Sequence, residues 1–133
     1  MGELIGSRPL RGAACALLTA ACGGALRTVP TGTRGAAASP TVVESPPPPA
    51  RVETVPPDPG EPCAWLDGRW EWTGRTWEWA PGAWVVAEHE CRYAPPEATW
   101  VAAGERGLLF YLPGRWYRGD GRPCPEPRTC GPR

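Results

Sequence analysis

The chain has no lysine, no asparagine and no glutamine, and only one Phe, one His and one Met. Without lysine, Schiff-base chemistry has no nucleophile. No serine follows Ser45, so a Ser-based triad cannot form in the C-terminal part. His89 is the single histidine, and it lies two residues from Cys91, a spacing that only a special loop geometry would turn into a nucleophile pair. All fourteen basic residues are arginine, alongside 17 Gly and 19 Pro, a composition of the kind that codon bias produces. Arginine abundance is therefore no phosphate-binding signal, and the formal net charge is zero. Residues 63–104 carry three Arg against six acids and residues 105–133 six Arg against three acids. That asymmetry suits docking of two halves and is too weak for a nucleic-acid footprint. No Gly-rich phosphate loop follows a strand and opens a helix, and no window beyond the N-terminal run shows helical periodicity.

What is present is tryptophan. Residues 63–84 read CAWLDGRWEWTGRTWEWAPGAW and hold six of the eight Trp. One unit recurs: aromatic, two residues, Gly, one residue, Trp. Its copies are Trp65 to Trp70, Trp79 to Trp84 and Tyr111 to Trp116. Asp67-Gly68 suits a type I′ turn, Pro81-Gly82 and Pro113-Gly114 a type II turn, and Gly74-Arg75 a type II′ turn. Two-residue turns at Asp67-Gly68, Gly74-Arg75 and Pro81-Gly82 predict one aromatic row in which Trp65 faces Trp70, Trp70 faces Trp79, and Trp79 faces Trp84. Cys63, Trp72, Trp77 and Val86 make a second row on the same face. Glu71 then opposes Glu78, which is unfavourable unless Arg69 or Arg75 screens the pair; these carboxylates read as solvated rather than catalytic. The aromatic rows read first as a core. A solvent-facing strip of Trp65, Trp70, Trp77, Trp79 and Trp84 would instead stack sugar rings.

At the N-terminus, Arg8 and Arg11 precede a ten-residue apolar run, Gly12 to Ala21. That is far short of the ~20 residues that span a bilayer, and it matches a secretory signal. Leu18-Thr19-Ala20-Ala21-Cys22 resembles the lipobox of bacterial lipoproteins, which implies a signal at 1–21 and lipidation of Cys22. Gly23, rather than Asp, after the Cys resembles lipoproteins sorted to the outer membrane. Residues 22–62 then form a tether. Ten prolines fall between Pro30 and Pro62, and such a segment cannot offset its ordering entropy by burial. It is expected to be disordered, extended and partly polyproline II, able to reach on the order of 100 Å.

The folded part is read as 63–133, a size that usually needs staples. Cys63, Cys91, Cys124 and Cys130 supply two disulfides in an exported chain. Of three connectivities, Cys63–Cys91 with Cys124–Cys130 is preferred. A metal site from Cys63, His89, Cys91 and Cys124 is the alternative, disfavoured by the oxidising compartment and the lack of a C-x-x-C pair. Residues 88–96 read as a loop because of Pro95-Pro96. Strands are expected at 84–87, 99–102 and 108–112, with Arg115 to Arg118 closing the last hairpin. The fold class is an all-β, disulfide-stapled antiparallel meander of six or seven short strands.

The aromatic-x-x-Gly-x-Trp copies, the Trp-Glu-Trp spacing and the Pro-Gly steps resemble the YXWGXW-type repeat proteins of bacteria, many of them lipoproteins. The lipobox, Pro-rich segment and Cys-bounded domain look most like myxobacterial lipoproteins of this kind. The resemblance implies an envelope location and carries no catalytic or binding residues. The expectation is a non-enzymatic envelope lipoprotein without cofactor or metal. Its partners would be the membrane, through the lipid anchor, and a cell-wall glycan or another envelope protein; nucleic acid is not expected.

Overall fold

The computed structural model describes residues 24–131. The signal at 1–21 and the lipidation site Cys22 lie outside the described residues. The described chain contains only strands, turns and irregular segments, so the expected all-β class holds. The described residues form ten strands, more than the six or seven expected: β1 Thr41–Val43, β2 Ala64–Leu66, β3 Arg69–Trp72, β4 Trp77–Ala80, β5 Ala83–Val86, β6 Arg92–Ala94, β7 Glu97–Ala103, β8 Arg106–Leu112, β9 Arg115–Tyr117 and β10 Arg128–Thr129. All strand pairs are antiparallel.

Strands β2 to β5 form one long hairpin, and the expected register is corrected. β3 pairs with β4, placing Trp70 opposite Trp79 and Trp72 opposite Trp77. β2 pairs with β5 rather than with β3, so Trp65 faces Trp84 and not Trp70. Leu66 opposes Ala83 on one side of a break and Arg69 opposes Ala80 on the other. The break therefore leaves two residues on each strand, Asp67-Gly68 and Pro81-Gly82, and no register is lost. These dipeptides do not reverse the chain. Neither Gly68 nor Gly82 has positive φ, whereas Gly74, at φ +92°, does. The reversal is the loop at Gly74-Arg75, closed by the Thr73 amide donating to the Thr76 carbonyl at 3.0 Å.

Strands β6 to β9 repeat the plan. Two-residue reversal at Gly104-Glu105 joins β7 to β8, with Ala103 opposite Arg106. β9 does not fold back on β8 as expected; it pairs with β6, Tyr93 opposite Trp116. Pro95-Pro96 and Pro113-Gly114 occupy the break. The loop expected at 88–96 is therefore shorter: it covers residues 88–91, β6 follows, and the prolines interrupt a hairpin. A proline lacks the N–H that a ladder needs, so a break is where it fits.

Both disulfides differ from the preferred pairing: they join Cys63 to Cys130 and Cys91 to Cys124. The C-terminal tail explains this. The Cys124 amide donates to the Trp116 carbonyl at 2.8 Å, and the Cys130 amide donates to the Trp84 carbonyl at 2.8 Å. Each cysteine is thereby laid beside the return strand of a different hairpin. Cys124 therefore meets Cys91, which enters the second hairpin, and Cys130 meets Cys63, which enters the first.

The expected tether is also corrected where it is described. It is extended, as its prolines require, but it is packed on the domain. The Trp65 amide donates to the Arg27 carbonyl at 2.7 Å, and the Tyr93 amide to the Pro30 carbonyl at 2.8 Å. β1 pairs with β8. Val29 and Val43 are buried in the core. The physical reason is that two small apolar clusters are left open by the hairpins, and this segment closes them: Val29 with Leu66, Val85, Tyr93 and Trp116, and Val43 with Leu109 and Tyr111. A third cluster, Cys63, Trp65 and Trp84, lies at the hairpin base.

Candidate functional site

The aromatic pairs of the first hairpin meet edge to face. Trp65–Trp84 centroids are 5.6 Å apart at 65°, Trp70–Trp79 5.3 Å at 71° and Trp72–Trp77 5.2 Å at 62°. Such pairs contribute about 0.5–1.5 kcal/mol beyond area burial. The glycine of each repeat makes room for the other repeat's ring. A Cβ at Gly68 would lie 2.5 Å from Cζ2 of Trp79. A Cβ at Gly82 would collide with Cζ2 of Trp65. In the second hairpin, a Cβ at Gly114 would collide with the Tyr93 hydroxyl. The two Trp copies are thus one antiparallel, reciprocal pair. Opposite the Tyr111 copy, Tyr93-Ala94-Pro95-Pro96-Glu97-Ala98 fills the position of a degenerate copy, with Pro for Gly and Ala for the last Trp.

Each break exposes backbone groups, and the N-terminal segment supplies a charged side chain to each. At the first, the Glu53 carboxylate accepts from the Trp79 indole at 2.8 Å and from the Gly82 amide at 2.9 Å. The Trp79 N–H holds this carboxyl below its ordinary pKa; partial desolvation opposes it, and the amides of Gly82 and Gly68 and the charge of Arg51 add to it. At the second, the Arg34 guanidinium donates to the Pro113 carbonyl at 2.6 Å and to the Pro95 carbonyl at 2.5 Å. Donors left free by one break meet an anion; acceptors left free by the other meet a cation.

Residues 45–56 run over the Trp ladder as a strap. The Trp77 indole donates to the Ser45 carbonyl at 3.1 Å, Trp70 to the Pro49 carbonyl at 3.0 Å and Trp84 to the Pro56 carbonyl at 3.0 Å. With Trp79 on Glu53, four indoles read four points of the strap. The Arg51 guanidinium lies 4.8 Å above the Trp70 ring and 5.8 Å from the Trp79 ring, within cation–π range.

The five Trp proposed for sugar stacking do not form a solvent-facing strip. Trp65 and Trp84 are 3% and 7% exposed. Trp70, Trp77 and Trp79 are half-buried, and the paired rings are steeply inclined rather than coplanar. Trp100, on β7, is the Trp that faces solvent, at 61% exposure. Glu71 does oppose Glu78, and Arg69 pairs with Glu71 at 2.6 Å, the screening that the register demanded. All four domain cysteines are in disulfides, and His89 is exposed. Sequence reasoning missed Glu53, Arg51 and Arg34. A signal existed for two of them: Arg51 and Glu53 are the only charges between Ser45 and Pro57.

The arrangement defines an all-β domain of paired, interrupted, Trp-rich hairpins. The chain carries the WXXGXW repeat in two copies, over residues 64–85 and 111–125. The first copy covers the whole break of the first hairpin, and the second starts at Tyr111 on the return arm of the other. No curated protein and no solved structure matches the chain.

Proposed function

We propose that this protein is a non-enzymatic lipoprotein of the bacterial cell envelope, similar to the myxobacterial lipoproteins of its repeat type, with a structural or interaction role. The Leu18 to Cys22 lipobox would attach it to the outer membrane through lipidated Cys22, and Trp-rich hairpins would form the working part. The observation that carries the interaction reading is the strap. The ladder's indole N–H groups are directed at polypeptide rather than at an aligned set of catalytic groups. The spacer role falls to what lies before Arg27, since the chain from there on is laid on the domain. Expression of a Cys22→Ala variant tests the anchor. The variant should move from the membrane to the soluble fraction, keep its signal and lose incorporation of a palmitate analogue. Unchanged partitioning, mobility and labelling would refute it.

A further inference from the structure

We propose that the Trp ladder is a binding groove for an extended, proline-rich peptide bearing a carboxylate, and that residues 45–56 are its built-in ligand, held in cis. This deepens the interaction reading and rests on it. The chemistry is complementary in kind. An indole has an N–H donor and no acceptor. A proline run has carbonyl acceptors and no N–H. Three of the four indole bonds go to strap backbone carbonyls, at Ser45, Pro49 and Pro56. The fourth goes to Glu53, which also takes the Gly82 amide. Contacts recur every three or four residues, so the strap is read as an extended rod along the hairpin. Recognition of a stiff, pre-extended Pro-rich segment on aromatic rings costs little ordering entropy.

The strap is attached as a ligand is, not as a core element. Residues 44–62 form no strand pairing. Val52 is fully exposed and Val55 is exposed, so neither valine of the strap enters the core. Nor does it fill the groove. A cleft of about 700 Å3 remains between Pro56, Pro57 and Pro59 and the rings of Trp65 and Trp84. Another of about 270 Å3 lies between Pro47, Pro48 and the Trp70–Trp79 pair. Attachment in cis gives the strap an effective concentration in the millimolar range for a short flexible link. A Pro-rich acidic segment of another polypeptide therefore gains the groove only when the strap is weakened or outcompeted.

The test uses the full chain with Arg51→Ala and Glu53→Ala together, which removes the two charged strap contacts and leaves the ladder intact. A synthetic peptide of residues 44–58 is titrated into it, followed by tryptophan fluorescence and calorimetry. The expected result is saturable one-to-one binding, about tenfold or more weaker for the same peptide carrying Glu53→Ala, and about tenfold or more weaker to the wild-type chain, whose groove is occupied. Equal binding to wild type and variant would place the peptide elsewhere and overturn the proposal. So would absence of binding to a variant whose near-ultraviolet circular dichroism is native. Loss of the fold in the variant would also overturn it, because a ligand can leave its receptor folded. None of these outcomes bears on membrane partitioning of Cys22→Ala, so failure of the groove and failure of the anchor are separate results.

Discussion

Gly82→Ala tests the account of the repeat glycine most directly. Gly82 does not have positive φ, so an alanine there meets no backbone objection. It meets the Trp65 ring and, at 2.9 Å, Oε2 of Glu53. Glu53 is a mobile end that can yield. Trp65 cannot: it is 3% exposed, its indole donates to Asp67 at 2.8 Å, its ring abuts Trp84 at 5.6 Å, and its amide is held by Arg27. Overpacking a site of this kind costs about 1–3 kcal/mol. For a domain of this size each kcal/mol lowers Tm by about 4–8 °C, so Tm should fall by roughly 5–20 °C. Thermal unfolding of Gly82→Ala, of Trp65→Ala and of the double variant forms a cycle. In the Trp65→Ala background the clash is gone, and Gly82→Ala should be neutral or slightly stabilising. Gly119→Ala, where a Cβ meets nothing within 4 Å, serves as the control. A Gly82→Ala protein that melts with wild type, or one whose cost persists without the Trp65 ring, would refute the reasoning.

Non-reducing peptide mapping should recover Cys63 with Cys130 and Cys91 with Cys124, and removing either bond should cost about 2–5 kcal/mol; a Cys124–Cys130 peptide would contradict the tail's path. Burial pushes the Tyr93 phenol up to about 12, against ~10 in the unfolded chain. The folded state therefore holds this proton more tightly, and the stability so linked is complete below pH ~10 and lost as pH rises through about 12. Because the Tyr93 hydroxyl is buried without a hydrogen-bond partner among the described residues, Tyr93→Phe should raise stability by about 1 kcal/mol and flatten the alkaline loss, read from denaturant midpoints between pH 8 and 12; a destabilised Phe variant would count against it.

The fold class was legible because alternation and turn chemistry are local. The Trp70–Trp79 and Trp72–Trp77 pairs followed from Gly74-Arg75, and the need for Arg69 or Arg75 to screen Glu71 followed from that register; the structure uses Arg69. The outer pairs were not legible. Asp67-Gly68 and Pro81-Gly82 carry the residues of a turn, and sequence alone does not separate a glycine needed for positive φ from one needed for close approach. The disulfide pairing depends on where the tail returns, a non-local fact. The strap was hidden for a different reason. Composition says that residues 22–62 lack a core of their own, yet such a segment can still be held by another's donors and clefts. Arg51 and Glu53, isolated charges in a proline run, were the local trace of that docking.

The break geometry also explains why the motif has the form it does. Its two aromatics are five positions apart, so in an unbroken ribbon they would project to opposite faces. A two-residue break on both strands lets the ribbon turn without slipping register, and the ring of Trp65 comes to lie over Gly82 while that of Trp79 lies over Gly68. Each glycine is therefore a requirement set by the aromatic of the opposite copy, not by its own. Copies must then meet in antiparallel pairs, and a copy without a full partner must find a substitute. The second hairpin follows this rule: Tyr93 takes the place over Gly114, and Ala98 opposes Tyr111, which turns instead to the Trp77 ring at 4.8 Å and donates its hydroxyl to the Trp70 carbonyl. The aromatic missing from the second pair is supplied by the first, and in this way the two hairpins are joined into one domain.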